Sequence, residues 1–95
     1  MECESLIFSS HAVRRMFERS IREDEVRFVV AFGKVIADYA DDFPFPSRLM
    51  LGFAGGRPLH IVVAVDHRGR RCYVITAYVP DAAQWDSDFK TRRLP

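Results

Sequence analysis

The stretch RPLHIVVAVD, residues 57–66, is followed after only five residues by CYVITAYV, residues 72–79. Both runs are rich in β-branched and aromatic residues, and the intervening HRGRR has turn composition, so they read as an antiparallel pair of strands. Alternate residues of a strand share a face. In the first run Leu59, Ile61, Val63 and Val65 make a wholly apolar face, and His60, Val62, Ala64 and Asp66 make the other. Keeping polar residues together across the pair sets His60 opposite Tyr78, Val62 opposite Thr76 and Val65 opposite Tyr73. His60 is thereby expected on the face turned away from whatever covers the aliphatic side.

Two further strands precede this pair. SRLMLGF reaches RPLH through AGGR, whose paired glycines tolerate positive φ and suit a hairpin turn. A two-residue Gly55–Gly56 turn puts Leu51 beside His60. One extra turn residue puts Arg48 and Met50 on the His60 face instead, and both registers stay open. KVIADYADD reads as the earliest strand of the meander, and DDFPFPS as a proline-interrupted loop, because proline fixes φ and removes a donor.

Before Gly33 the periodicity is helical. SSHAVRRMFERSI carries Ala12, Val13, Met16 and Phe17 at helical spacing as a buried stripe, with Ser9 or Ser10 as N-cap. His11, Arg15, Arg19 and Arg22 follow one another at i+4, i+4 and i+3, which stacks them on one ridge. REDEVRFVVAFGK gives a second helix with Glu23, Asp24 and Glu25 at its positive end and Val26, Val29 and Val30 facing inward, flanked by Phe28 or Phe32. Gly33 suits its C-terminus. DAAQWDSDFKTRRLP reads as a short helix capped by Asp81, then a basic tail. The expected fold is α+β in a single domain, residues 1–95. Two N-terminal helices pack on one face of an antiparallel sheet of about four strands, followed by a short C-terminal helix or tail.

Composition removes several function classes. No apolar run approaches the roughly 20 residues needed to span a bilayer, and MECESLIFSS has acids where a signal peptide has a basic region, so the cytosol is the default location. Cys3 and Cys72 fit no zinc spacing and no disulfide framework, so both are expected as reduced thiols. His11, His60 and His67 form no local metal motif, and no cofactor motif is present. Net charge is only +1, but it is unevenly spread. Residues 9–22 carry four Arg against Glu18, residues 23–46 are net acidic, and residues 47–71 and 89–95 are basic again. Twelve of the fourteen basic residues are Arg, whose planar fork matches phosphate.

An open sheet face bearing His60, Thr76 and Tyr78, with Arg and Lys nearby, suits a phosphodiester. Metal-free RNA cleavage needs a group to take the 2′-OH proton, cations to hold the phosphate and a group to protonate the leaving oxygen. Imidazole titrates near neutrality, so His60 or His11 fits acid–base work, and Tyr78 offers a hydroxyl. Blander readings stand beside these. A histidine on a half-buried strand is commonly a hydrogen-bonded structural residue, His11 at a helix start can serve as a local cap, Tyr78 can be a cross-strand packing residue, Trp85 and Phe89 fit core or edge cover, and charge runs are usually solvated faces.

Three segments, HAVRRMFERSI, DYADDFPFPSRLMLGFAGGRPLHIVVAVD and YVITAYVPDAAQWDSDFKTRR, together resemble a bacterial family of small uncharacterised domains. That family is in turn similar to the RelE-like ribonuclease toxins, near the BrnT and MqsR branches. The motif positions are His11, Ala12, Arg15, Met16, Glu18, Arg19, Ser47, Gly56, Arg57, Leu59, His60, Thr76, Tyr78, Pro80, Asp81, Trp85, Lys90 and Arg93. Arg22 departs from it where a Ser cap is usual, as does Ala40 where Pro is common. The resemblance implies a RelE-like fold and an RNA endonuclease toxin of a type II toxin–antitoxin pair, working without metal or cofactor. His60, Tyr78 and His11 would be its catalytic residues, and Arg15, Arg19, Arg48, Thr76, Lys90 and Arg93 its RNA contacts. A cognate antitoxin, zinc-finger type among the candidates, would be the protein partner; no membrane association is expected and the oligomeric state is left open. The alternative is a non-catalytic module of the same fold that binds a protein or RNA through its basic ridge.

Overall fold

The computed structural model describes residues 3–94. In chain order the elements are strand β1 (Ser5–Phe8), helix α1 (Ser10–Glu18), helix α2 (Glu23–Phe32) and strands β2 (Lys34–Tyr39), β3 (Ser47–Ala54), β4 (Arg57–Asp66) and β5 (Arg71–Tyr78). The sheet order is β1-β5-β4-β3-β2. Strands β2 to β5 form the expected antiparallel meander. The expectation of about four antiparallel strands needs one correction, because β1 adds a fifth, parallel to β5, and the sheet is mixed. β1 is a four-residue edge strand whose Leu6 and Phe8 lean on the core while Ser5 and Ile7 are exposed.

Both helices lie on one sheet face, α1 against β5 and α2 against β3 and β4. Between them and the sheet sits the main core, including Ala12, Met16, Val26, Val29, Met50, Leu59, Ile61, Val63, Val74 and Ala77. Ser9 caps α1 by accepting from the Ala12 N–H at 3.0 Å, and its hydroxyl donates to the Ile75 carbonyl at 3.2 Å, which ties the helix start to β5. The helix stops earlier than its periodicity suggests. Ser20 takes a left-handed φ of 54°, the Ile21 N–H bonds the Met16 carbonyl and the Ser20 N–H bonds the Phe17 carbonyl. This is a Schellman stop. It drops Ile21 into the core, 4% exposed, so the buried stripe of α1 is narrower than expected. Ala12 and Met16 are inside, while Val13 is 53% and Phe17 87% exposed. Arg22 falls beyond α1, at the N-cap of α2, and so leaves the His11–Arg15–Arg19 ridge.

The β3–β4 hairpin turns on Gly55 and Gly56, with φ of 59° and 80°. Ala54 pairs with Arg57 and Leu51 with His60. The two-residue turn therefore resolves the open register, and Arg48 pairs with Val63, a residue of the helix-covered core. At Gly52 a Cβ would stand 2.7 Å from Val29 Cγ2, so the missing side chain is what lets α2 settle on β3.

Between β4 and β5 the expected pairs His60–Tyr78 and Val62–Thr76 are present. The third is shifted, since a bulge puts Ala64 opposite Tyr73 and Val65 opposite Cys72. The extra residue is Ile75, and it exchanges the faces of the first half of β5. Cys72 and Val74 thereby enter the helix-side core, and Tyr73 crosses to stack on Phe45 at 5.6 Å.

Two more expectations are corrected. The C-terminal segment forms turns with an isolated Trp85–Arg92 bridge instead of a helix. Asp81 caps only a turn, through the Ala83 N–H at 2.8 Å. Cys3 and Cys72 are joined as a disulfide rather than standing as reduced thiols, with their Cα atoms 5.6 Å apart. The parallel β1 makes this possible by pairing Leu6 with Cys72, which leads Cys3 alongside β5. Among the described residues no helix is long and apolar enough to cross a membrane.

Candidate functional site

His60 lies on the face away from the helices, as alternation requires, but that face is not open there. Residues 81–93 fold back over it. Leu49, Leu51, His60, Ala64 and Trp85 are buried, and His60 has no exposed surface. Trp85 meets the imidazole edge to face, with centroids 4.5 Å apart and planes at 89°. Phe53 makes a similar contact with Phe89 at 6.4 Å.

Both ring nitrogens of His60 are engaged. Nε2 is 2.7 Å from the Phe89 carbonyl oxygen, and Nδ1 is 3.2 Å from the Tyr78 hydroxyl. A carbonyl can only accept, so Nε2 carries the hydrogen and Nδ1 accepts from Tyr78. Burial holds the imidazole below its ordinary value of 6.5, and the Phe89 carbonyl partly opposes that. Burial also pushes the Tyr78 phenol up, with Arg92 pulling the other way. At neutral pH the pair is therefore an uncharged hydrogen-bonded couple. Phe89, whose carbonyl closes the couple, has a φ of 58°. Its turn is held by Asp88, which accepts from the Lys90 and Thr91 N–H groups.

Thr76 shares the His60 face with Tyr78. The other expected site residues do not gather there. His11, Arg15 and Arg19 belong to α1 and its C-cap, across the sheet. Arg15 is paired with Glu18 at 2.9 Å. Arg48 sits on the helix-side face and pairs with Asp38 at 3.3 Å. Arg93 holds the cover segment together, donating from Nε to the Ala82 and Trp85 carbonyls at 2.9 and 3.0 Å. Lys90 is exposed on that same segment. The expected catalytic trio is thus divided by the sheet, with His60 and Tyr78 on one side and His11 on the other.

Several residues with structural or electrostatic roles were not expected as site residues from the sequence. Arg92 stands over the Trp85 ring at 5.6 Å, and its charge favours the ionised Tyr78 phenol against burial. Glu25 is buried, accepts the Arg22 N–H at 2.9 Å and meets Arg57 at 3.2 Å. Arg57 also donates to the Ser20 carbonyl at 2.6 Å, so the pair ties β4 to the link between the helices. The spacing of Arg22 and Glu25 was a signal for half of this arrangement, since a Glu three residues into a helix reaches back to the cap N–H. Arg14 is exposed on α1 next to Phe17, and neither Arg14 nor Arg19 has an ion pair among the described residues. No group of three or more His, Cys, Asp or Glu side chains among the described residues is placed to hold a metal ion.

The arrangement thus offers two distinct surfaces. One is a closed polar couple under the C-terminal segment. The other is the solvent-exposed surface of α1 and its C-cap, which carries His11, Arg14, Arg19 and the exposed Phe17. No curated protein and no solved structure matches the chain. A family profile described as a domain of unknown function (DUF4258) matches residues 8–79, ending just before the cover segment. That span is more than half of the chain, and the protein belongs to this family.

Proposed function

We propose that the protein is a RelE-like binding module that takes single-stranded RNA on the exposed face of α1, without using His60 as a catalyst. The observation that carries this reading is the contrast between its two surfaces. His60 is buried, neutral and saturated with partners, whereas Arg14 on α1 and Arg19 at its C-cap are exposed without an ion pair among the described residues, and Phe17 on the same helix is 87% exposed. Arginine forks suit phosphates. An exposed aromatic ring offers a stacking surface for an unpaired base, which duplexes do not present.

The endonuclease-toxin reading keeps one supporting observation. His60 and Tyr78 are hydrogen-bonded, Arg92 stands over the Trp85 ring that meets His60, and the segment covering them lies outside the span shared with the family. In that reading residues 81–94 lift, Tyr78 and His60 handle protons, and a small antitoxin holds the cluster closed. His11, Arg15 and Arg48 have no part in it.

One pair of assays separates the two. A labelled single-stranded RNA is titrated with the protein across a salt series, and the same samples are run on a denaturing gel. Binding through α1 predicts weaker association for Arg14→Ala and Arg19→Ala, with the salt slope falling by roughly 0.7 per cation removed. It also predicts intact RNA throughout. Cleavage that disappears in Tyr78→Phe would instead favour the toxin, and no RNA association in any sample would overturn both.

A further inference from the structure

The Cys3–Cys72 disulfide places its two sulfurs in different surroundings. Cys72 is 1% exposed, in the core under the helices. Cys3 precedes the edge strand and is only partly buried. A cleft of about 590 Å3 opens beside Cys3, with Glu4, Asp66, His67, Arg70 and Arg71 in its walls, and Cys72 does not line it. That volume lies within the range of small-molecule sites. Thiol–disulfide exchange requires a thiolate to reach one sulfur and expel the other. Of the two cysteines only Cys3 lines an open cleft.

The cleft also carries charge that bears on an incoming thiolate. Arg70 is paired with Glu4 at 3.1 Å, and one Asp66 oxygen accepts the Gly69 N–H at 3.1 Å. Arg71 and His67 have no ion pair among the described residues. Neighbouring cations favour the thiolate form that does the attacking.

We propose that Cys3 is a thiol-exchange site for a small-molecule thiol of the glutathione class, admitted through this cleft. The incoming thiolate forms a bond to Cys3 Sγ as the Cys3–Cys72 bond breaks. The electron pair leaves with Cys72 Sγ, which takes a proton from solvent and stays behind as a buried thiol. One disulfide replaces another, so no external oxidant is needed. A second thiol attacking the sulfur of the bound small molecule releases Cys3 as a thiol and carries away the oxidised dimer. What the exchange removes is the covalent tie of β1, which otherwise pairs only with β5.

The test uses the intact protein under native conditions with reduced glutathione. The reaction is quenched with acid, then the protein is unfolded, alkylated and mapped by mass spectrometry. The expected result is a glutathione adduct on Cys3 and an alkylated Cys72, formed about threefold or more slowly in Arg71→Glu, where the cation at the mouth becomes an anion. Adduct on Cys72, or reaction only after denaturant is added, would overturn the proposal and leave the disulfide a structural staple. So would reduction by a protein dithiol of the thioredoxin class alone.

Discussion

His60 and Tyr78 sit opposite each other because β4 and β5 pair in one register, and their chemistry follows from what covers them. With Nε2–H donated to the Phe89 carbonyl and Nδ1 accepting from Tyr78, the imidazole pins the C-terminal segment to the sheet. His60→Ala removes both bonds and leaves a hole under Trp85, and a loss of about 2–4 kcal/mol in chemical denaturation is expected. Tyr78→Phe, which removes only one donor, is expected to cost about 1 kcal/mol. The pH dependence has a definite sign. The folded state holds His60 below 6.5, so the unfolded chain binds the proton more readily. The stability from neutral His60 is fully present above pH 6.5 and is lost as pH falls through the folded value. Glu25 acts lower on the scale. The Arg22 N–H, together with Arg57, holds its carboxyl below 4.5 against the opposing effect of burial. Its contribution is present above pH 4.5 and is lost on further acidification. Urea titrations at stepped pH should show a first acid-side loss below pH 6.5 that is missing in His60→Gln, and a further loss at lower pH to which Glu25 and Asp88, also held below its ordinary value, both contribute.

The elements show how local rules and tertiary demands divide the work. The Schellman stop of α1 uses Ser20 in a left-handed conformation that glycine adopts without steric cost. Ser20→Gly is expected to raise stability by about 0.5–1 kcal/mol, read as a shifted urea midpoint with an unchanged slope. The disulfide closes most of the chain into one loop, with 69 residues of separation. Cys3→Ser with Cys72→Ser is expected to lower stability by about 2–4 kcal/mol, chiefly by releasing the unfolded chain. Alternation alone was enough to place His60 opposite Tyr78 and off the helix-covered face. It could not reveal the Ile75 bulge, because a bulge changes the partner count without changing local composition. β1 escaped for a related reason. Four residues carry too little periodicity, and its partner, β5, lies more than sixty residues downstream. The disulfide was hidden behind that same long-range pairing. Phe17 fitted the apolar spacing of α1, yet the early stop rotated the need for it onto Ile21.

At the scale of the whole molecule, the sheet separates two faces with different fates. The face away from the helices looked open in sequence because its cover, residues 81–93, read as a short helix and a basic tail with no pattern to say where they lie. That segment is organised by Asp81, Asp88 and Arg93 acting on backbone groups, contacts that no hydropathy pattern reports. The helical face keeps its cations exposed, and RNA binding is expected there. Whether His60 belongs to a closed structural couple or to a working site decides between the two readings, and the imidazole nitrogens report it directly. In 15N-detected NMR of the intact protein, followed from about pH 8 downward, His60 should remain the neutral Nε2–H tautomer after the pH has passed below 6.5. Titration at an ordinary solvent-exposed value, or a proton on Nδ1 of the neutral ring, would contradict the closed couple and return His60 to the catalytic reading.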